Sequence, residues 1–475
     1  MSQVDPKFVA EVVDSVLARL RTQTPSSPAT SARGGEFGVF DDVNQAVAAT
    51  GRAQKVWEQT PKETKKKVIA ALRKGMHEHA EDFARRALEE TGMGRFEDKV
   101  AKKHNSADAT PGLEDLETRS WAGDKGLVYE DYAPYGVIAA ITPSTHPIAV
   151  LFNSVVIIIA PGNGAVFNVH PAAKKVSAYA IDIFNRVIQE HGGPANLITM
   201  VREPTLESAQ KLFTHPDIRL IAATGGPALV KAAFASGKKV IAAGPGNPPV
   251  LVDETANLDE AARLIIEGAS FDNNILCIAE KECFVVNAVY DKFMQAMARQ
   301  GAVRLNKPQI QALAAKVFTT NQKGEVLVSR EFVGKNASVL ARAAGLTISD
   351  SVRLLYGEAE FTCQFVQEEQ MMPYMPVVRV KDVDEGIALA FKAEHGYGHT
   401  AMIYSNNFQN IQKFTKALNT TIVVVNGPSL AGNGGMSGEG YFSHTIASPT
   451  GEGVCTPRNF ARVRRLTIYK GLQIV

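Results

Sequence analysis

From residue 136 the chain alternates between short runs that are apolar throughout and longer runs with a helical apolar period. "GVIAAITP" (136–143), "GAVFNV" (164–169), "NLITMV" (196–201) and "DIRLIAA" (217–223) read as strands. Residues 147–160 and "KKVSAYAIDIFNRVIQEH" (174–191) read as helices, and a short helix separates the last two strands. Strands without polar alternation, joined by helices, predict an α/β fold with a parallel sheet covered on both faces. The second half repeats the style. "PPVLVD" (248–253), "KECFVV" (281–286), "YMPVVRV", "HTAMIYS" and "TIVVVNG" read as strands, with helices at 258–269, in "VDEGIALAFKAE" and in "NFQNIQKFTKAL". A second α/β domain is expected.

The first forty residues follow another pattern. "VDPKFVAEVVDSVLARLRTQ" places Phe8, Val9, Val12, Val13, Val16, Leu17 and Leu20 on one helical face, with Asp5 and Pro6 as a start signal. "TPSSPATSARGGEFG" then has linker chemistry. A tethered amphipathic helix buries its face on something else, and the plain reading is a neighbouring subunit. Asp5, Glu11 and Asp14 argue against a mitochondrial presequence.

Composition narrows the class. A chain of 475 residues exceeds what one core usually serves, so two or three domains are expected. The net charge of +2 gives no reason to expect nucleic acid or an anionic membrane as partner. The longest apolar run, 147–162, is too short to span a bilayer and contains Asn153 and Ser154. Cys277, Cys283, Cys363 and Cys455 are too scattered for a disulfide framework or a CxxC metal site, which fits a reducing compartment. His395 and His399 share a glycine-containing stretch and read as loop residues rather than metal ligands.

Two places carry candidate chemistry. In "RLIAATGGPALVKAAFASGKK" a strand ends before Thr224, Gly225 and Gly226, and Pro227 opens a helix. Glycines admit a ligand to the backbone, and free N–H groups at a helix start favour an anion, although a glycine turn is often only a turn. In "EGASFDNNILCIAEKECFVV" (267–286), Cys277 follows a polar turn and precedes a charged strand. Free cysteines are mostly buried and inert, and Cys283, Cys363 and Cys455 fit that description. Cys277 sits between elements, where a nucleophilic thiolate is the alternative to a packed thiol.

From about residue 37 onward the chain resembles the aldehyde dehydrogenase superfamily, and within it the CoA-acylating propionaldehyde and acetaldehyde dehydrogenases of bacterial microcompartments. The matching segments include "ITPSTHP" (141–147), "FNVHPAAK" (167–174), "ATGGPALVKAAFASGKKVIAAGPGNPPVLVDETA" (223–256), "SFDNNILCIAEKE" (270–282), "MPYMPVVRV" (372–380), "EHGYGHTAMIYS" (394–405) and "FSHTIASPTGEGVCTPRNF" (442–460). The resemblance implies a Rossmann-type dinucleotide-binding domain (37–117 and 137–250), a catalytic domain (251–445) and oligomerisation arms (118–136 and 446–475). Ahead of them stand a targeting helix (1–20) and a linker (21–36).

By the same resemblance Cys277 is the nucleophile. Thr145 takes the place of an oxyanion-holding Asn, with His146 as the alternative donor beside it and the Cys277 backbone N–H as a second. Thr142, Pro143, His170, Pro171, Thr224, Gly225, Gly226, Ala243, Gly244 and Glu369 are the implied cofactor residues. His170 replaces a ribose-binding lysine, so NADP stands beside NAD as the cofactor. Hydrolytic members carry a water-activating Glu where this chain has "AAGPGNPP" (242–249), and its absence points to coenzyme A as acyl acceptor. The implied reaction turns a short aldehyde, propanal before acetaldehyde, into acyl-CoA and NADH, reversibly. A hydrolytic aldehyde dehydrogenase and a catalytically silent NAD-binding scaffold are the alternatives.

The resemblance also implies a homodimer or homotetramer in the bacterial cytoplasm, inside a microcompartment. Residues 4–20 would then engage shell or core proteins, with subunit docking as the alternative. Ile275, Leu276, Phe442 and Ile446 are expected to set pocket width.

Overall fold

The computed structural model describes residues 37–322, 324–435 and 438–470. The expected targeting helix and linker lie outside the described residues.

The apolar strands assemble into two parallel sheets. The first holds six strands in the order Val39–Phe40, Ile198–Val201, Gly164–Val169, Val137–Thr142, Ile218–Thr224 and Lys239–Ala243. Helix Pro147–Ile159 is buried at every position, as its apolar residues around the helix require, with Asn153 and Ser154 among them. After Val137–Thr142 the chain builds outward on one side, then crosses to the other to lay down Ile218–Thr224. The gap at the carboxyl ends of these two paired strands is a topological switch point, where open α/β sheets bind ligands.

The second sheet has seven strands: Val303–Arg304, Leu355–Glu358, Tyr374–Val380, Glu282–Val286, Pro249–Val252, Thr400–Tyr404 and Ile422–Val425. Val303–Arg304 and Leu355–Glu358 were not legible as strands, being short and partly polar. Pro249–Val252 already belongs to this sheet, so the passage between lobes is Gly244–Pro248, slightly ahead of the expected boundary at 250.

Arg119–Gly123, Gly126–Pro134 and Ala461–Tyr469 form a separate antiparallel sheet. Its two outer strands leave Trp121, Val463, Leu466 and Tyr469 exposed. The second arm starts at Ala461 rather than at 446. Before it, Ile446–Ala447 pairs with Gly453–Val454, and Ala447, Cys455 and Phe460 pack into the core of the first lobe. Asn163 fastens this segment by donating to the carbonyls of Ile158 (2.9 Å) and Phe460 (2.8 Å).

Candidate active site

The first sheet brings its expected residues to one edge. His170, Thr142, Thr224 and Ala243 end four adjacent strands or follow them directly. The His170 N–H donates to the Thr142 carbonyl (3.0 Å), and the Gly225 N–H donates to the Ala243 carbonyl (3.1 Å). His170 Nδ1 accepts the Ala172 N–H at 3.1 Å, which turns that nitrogen toward its own turn beside exposed Pro171.

The residues fit a dinucleotide. The buried Thr142 hydroxyl has no partner among the described residues. Gly226 leaves open space where a side chain would stand, and it caps helix Pro227–Phe234. Pro227, Val230, Lys231, Gly244, Pro245, Tyr397 and Pro449 line a cleft of about 370 Å³ at that helix start. A backbone open to close approach, with free N–H groups facing a cleft, suits a pyrophosphate.

The second sheet offers its opposite edge. Lys281, Glu369 and His399 precede the strands Glu282–Val286, Tyr374–Val380 and Thr400–Tyr404. Gly246, in the passage between lobes, packs against this group: a Cβ there would lie 2.6 Å from the Cys277 carbonyl oxygen and 3.0 Å from His399 Cγ. Gly246→Ala is therefore expected to displace Cys277. Its NADH formation should fall about 100-fold, since misplacing a reacting group by about 1 Å has that effect. A thermal melt should show about 1–3 kcal/mol of overpacking.

Cys277 is half-buried, whereas Cys283 and Cys455 are buried as expected. Cys363 is half-buried and packs against two apolar clusters of the second lobe, at the edge of a surface cavity lined by Arg304 and Glu358. Burial, and then the Glu369 carboxylate, push the Cys277 thiol up to about 12. Lys281 and the backbone N–H groups of Cys277 and Ile278 act in the other direction. Glu369 is itself pushed up to about 7 by burial, with Lys281 and the Gly246 N–H opposing. It thus lies in the field of Cys277 and Lys281 rather than at the glycine turn. Glu369→Gln removes the anion and should lower the thiol pKa. Alkylation of Cys277 by iodoacetamide at neutral pH is expected to run several-fold faster in that variant.

Local backbone explains how the cysteine is held. Asp272, Asn273 and Asn274 are consecutive left-handed residues, with φ of 46°, 56° and 65°. Asn and Asp tolerate this region better than other side chains, and here their polar groups hold the turn. The Asp272 N–H donates to Asp98 (2.8 Å), and Asp272 accepts from the Arg95 N–H (2.7 Å). Asn273 Nδ2 donates to the Gly334 carbonyl at 2.9 Å. Asn274 Nδ2 donates to the carbonyls of Ala269 and Glu280, both at 2.8 Å. Lys281 Nζ, fully buried, donates to Asn274 Oδ1 (2.5 Å) and to the carbonyls of Asn274 and Leu276 (3.0 Å each).

Thr145 and His146 follow strand Val137–Thr142 and stand before helix Pro147–Ile159. His146 is buried and stacks on His444, with ring centroids 5.7 Å apart. Phe442 meets His444 edge-on, and Ile275, Leu276 and Ile446 are buried in the second lobe's core. Lys281 lies in the field of both His146 and Cys277, which ties the two lobes' contributions together. Lys281, His399, His444, Gly246 and the lysines of helix Phe96–Ala109 were missed from sequence. The signal available was charge inside apolar surroundings, as in "EKECFVV". Among the described residues no group of three His, Cys, Asp or Glu side chains could hold a metal ion.

The profile of the Aldehyde dehydrogenase family matches residues 21–350 and 353–441. The chain belongs to the aldehyde dehydrogenase family. It is 44% identical over 477 residues to the acetaldehyde dehydrogenase (acetylating) EutE of Salmonella typhimurium, covering 100% of both chains. A propionaldehyde dehydrogenase from the fucose utilisation bacterial microcompartment of Clostridium phytofermentans superposes with a TM-score of 0.90 at 43% identity, covering 93% of this chain and 100% of that one. The Rhodopseudomonas palustris propionaldehyde dehydrogenase, solved with bound CoA and an acylated cysteine, gives a TM-score of 0.89 at 40% identity, covering 92% of this chain and 99% of that one. The parallel α/β architecture agrees with the fold expected for an aldehyde dehydrogenase.

Proposed function

We propose that this chain is a CoA-acylating aldehyde dehydrogenase that converts a short aldehyde, with propanal ahead of acetaldehyde, to acyl-CoA. The carrying observation is Cys277, half-open beside a passage in which Gly246 leaves no room for any side chain. Position 246 itself can therefore carry no water-activating carboxylate. A thiol acceptor is intrinsically more nucleophilic than water and needs less help from a base.

Thr142, Pro143, Thr224, Gly225, Gly226, Ala243 and Gly244 would hold NAD, or NADP, at the switch point. His170 and Pro171 flank that edge, and Glu369 would face the end of the cofactor nearer Cys277. Bound there, the nicotinamide supplies a hydride acceptor. Lys281 and the N–H groups of Cys277 and Ile278 favour the thiolate against burial and Glu369. The Cys277 sulfur adds to the aldehyde carbonyl, and the Thr145 hydroxyl and the Cys277 N–H receive the oxyanion. Loss of hydride from this adduct leaves a thioester on Cys277. The CoA thiol displaces the acyl group, and one thioester replaces another, so the reaction runs both ways.

Intact-protein mass spectrometry tests the scheme. Propanal and NAD without CoA should add one propanoyl group at Cys277, and CoA should remove it. Glu369, a carboxyl that titrates at about 7 in the field of Cys277, favours a second reading in which water is activated for hydrolysis. The adduct would then disappear without CoA.

The microcompartment origin of the C. phytofermentans relative supports the same location for this enzyme, with residues 4–20 engaging shell or core proteins. Among the described residues no helix is long and apolar enough to cross a membrane. The exposed Trp121, Leu466 and Tyr469 support subunit pairing through the antiparallel arm, as a homodimer or homotetramer.

A further inference from the structure

Helix Phe96–Ala109 carries three lysines, Lys99, Lys102 and Lys103, that are almost wholly buried. Burying an ammonium is costly unless it is paired, and such residues persist where they serve a partner. Lys99 pairs with Asp272 at 3.2 Å, and Lys102 pairs with the same carboxylate. Lys102 also reaches the turn ahead of helix Pro147–Ile159, where its Nζ lies 3.5 Å from His146 Nδ1. On the far side of that ring, His146 Nε2 lies 3.4 Å from the Thr145 hydroxyl. Both contacts are long, as catalytic hydrogen bonds often are before substrate tightens them.

Proton counting gives this row a direction. Burial, Lys102 and His444 hold the His146 pKa well below its ordinary value, so the ring is neutral and carries one N–H. Lys102, lowered to about 8 by burial with Asp272 opposing, remains an ammonium at neutral pH and has only protons to offer. His146 Nδ1 must therefore accept, and the ring's own proton sits on Nε2. An Nε2–H facing the Thr145 hydroxyl makes that oxygen an acceptor and turns its own hydrogen away from the ring.

The stacked neighbour is fixed by similar counting. Ser106 Oγ donates to the Lys102 carbonyl (2.7 Å), so its contact with His444 Nε2 (3.1 Å) is received from His444. Asn153 holds the loop that carries His444, accepting from the Ser443 hydroxyl (3.1 Å) and the His444 N–H (3.2 Å). The imidazole pair is thus held by helices Phe96–Ala109 and Pro147–Ile159.

We propose that Lys102 is a positioning residue: anchored by Asp272, it fixes His146 as the Nε2–H tautomer, which turns the Thr145 hydroxyl proton toward the reacting oxygen. The row joins the turn that presents the nucleophile to the group that receives the oxyanion. It rests on the reading of Thr145 given under Proposed function. In that role Lys102 acts through His146 rather than on the reacting atoms.

The test is a double-mutant cycle on the rate of the single-turnover NADH burst from propanal and NAD without CoA. Thr145→Val should lower that rate about 100-fold, the usual effect of losing one oxyanion donor. Lys102→Met should lower it about 10–100-fold while leaving the NAD dissociation constant within about twofold. The double variant should be no slower than the slower single variant, because all three changes remove one donor. Losses that multiply to about 1,000-fold or more would overturn the proposal, as independent structural effects behave in that way. Should Lys102→Met melt below the assay temperature, Lys102→Gln is compared with the parent and with Thr145→Val directly. Its amide still offers a hydrogen to Nδ1, so most of the parent rate should survive. A Gln loss as large as that of Thr145→Val would overturn the proposal. The parent enzyme separates the two levels of the argument. No burst in the parent sinks the acylating reaction itself, whereas a parent burst with multiplying losses sinks only the role of Lys102.

Discussion

Cys277→Ala should abolish NADH formation from propanal, with a loss of at least about 10,000-fold in kcat, the scale seen when a covalent nucleophile is removed. Folding should be nearly untouched. Cys277 is half-buried, and the hydrogen bonds that shape its loop come from Asp272, Asn273, Asn274 and Lys281 rather than from its sulfur. The variant should therefore melt within a few degrees of the parent and still bind NAD. An Ala variant with a tenth of the parent activity would mean that another group forms the acyl-enzyme. Neither Cys283 nor Cys455 is a candidate, since both are buried whereas Cys277 is half-buried.

Asp272→Asn should have the largest effect on stability. Asp272 is fully buried and is the shared counter-ion of Lys99 and Lys102. Removing one member of a buried ion pair leaves the other charge uncompensated and costs about 3–5 kcal/mol. Burial alone would raise the Asp272 pKa, but Lys102 and Lys99 outweigh it and the folded value lies below the ordinary one. Its stabilisation is therefore complete above about pH 4 and disappears as pH falls through the lower folded value. Urea melts of parent and variant should differ most at neutral pH and converge in acid. A gap that widens in acid would contradict the ion-pair account.

Much of the fold was legible because its strands are apolar on both faces. Val137–Thr142 and Gly164–Val169 coincide with runs chosen on hydrophobicity alone. Leu355–Glu358 escaped because it is short and ends in glycine and an exposed glutamate. In the tail, strand Ala461–Tyr469 sets Val463 opposite Leu466 and Ile468, and both faces of its outer half are open.

The site was legible in part. Composition and periodicity left Cys277 between packing and catalysis, and the resemblance to the superfamily gave it a role. The lysines of helix Phe96–Ala109 carried no signal in the sequence, because Asp272, which pairs with Lys99, lies 173 positions away. Gly246 stood only within a stretch noted for its missing glutamate. Only its close approach to the Cys277 carbonyl and the His399 ring shows why a side chain is excluded there.

The most direct test of the central claim is stopped-flow NADH formation from propanal and NAD, with and without CoA. A burst of about one NADH per active subunit without CoA, and sustained turnover only with it, is the predicted result. An equal sustained rate in both would contradict it, because water would then be releasing the acyl group from Cys277.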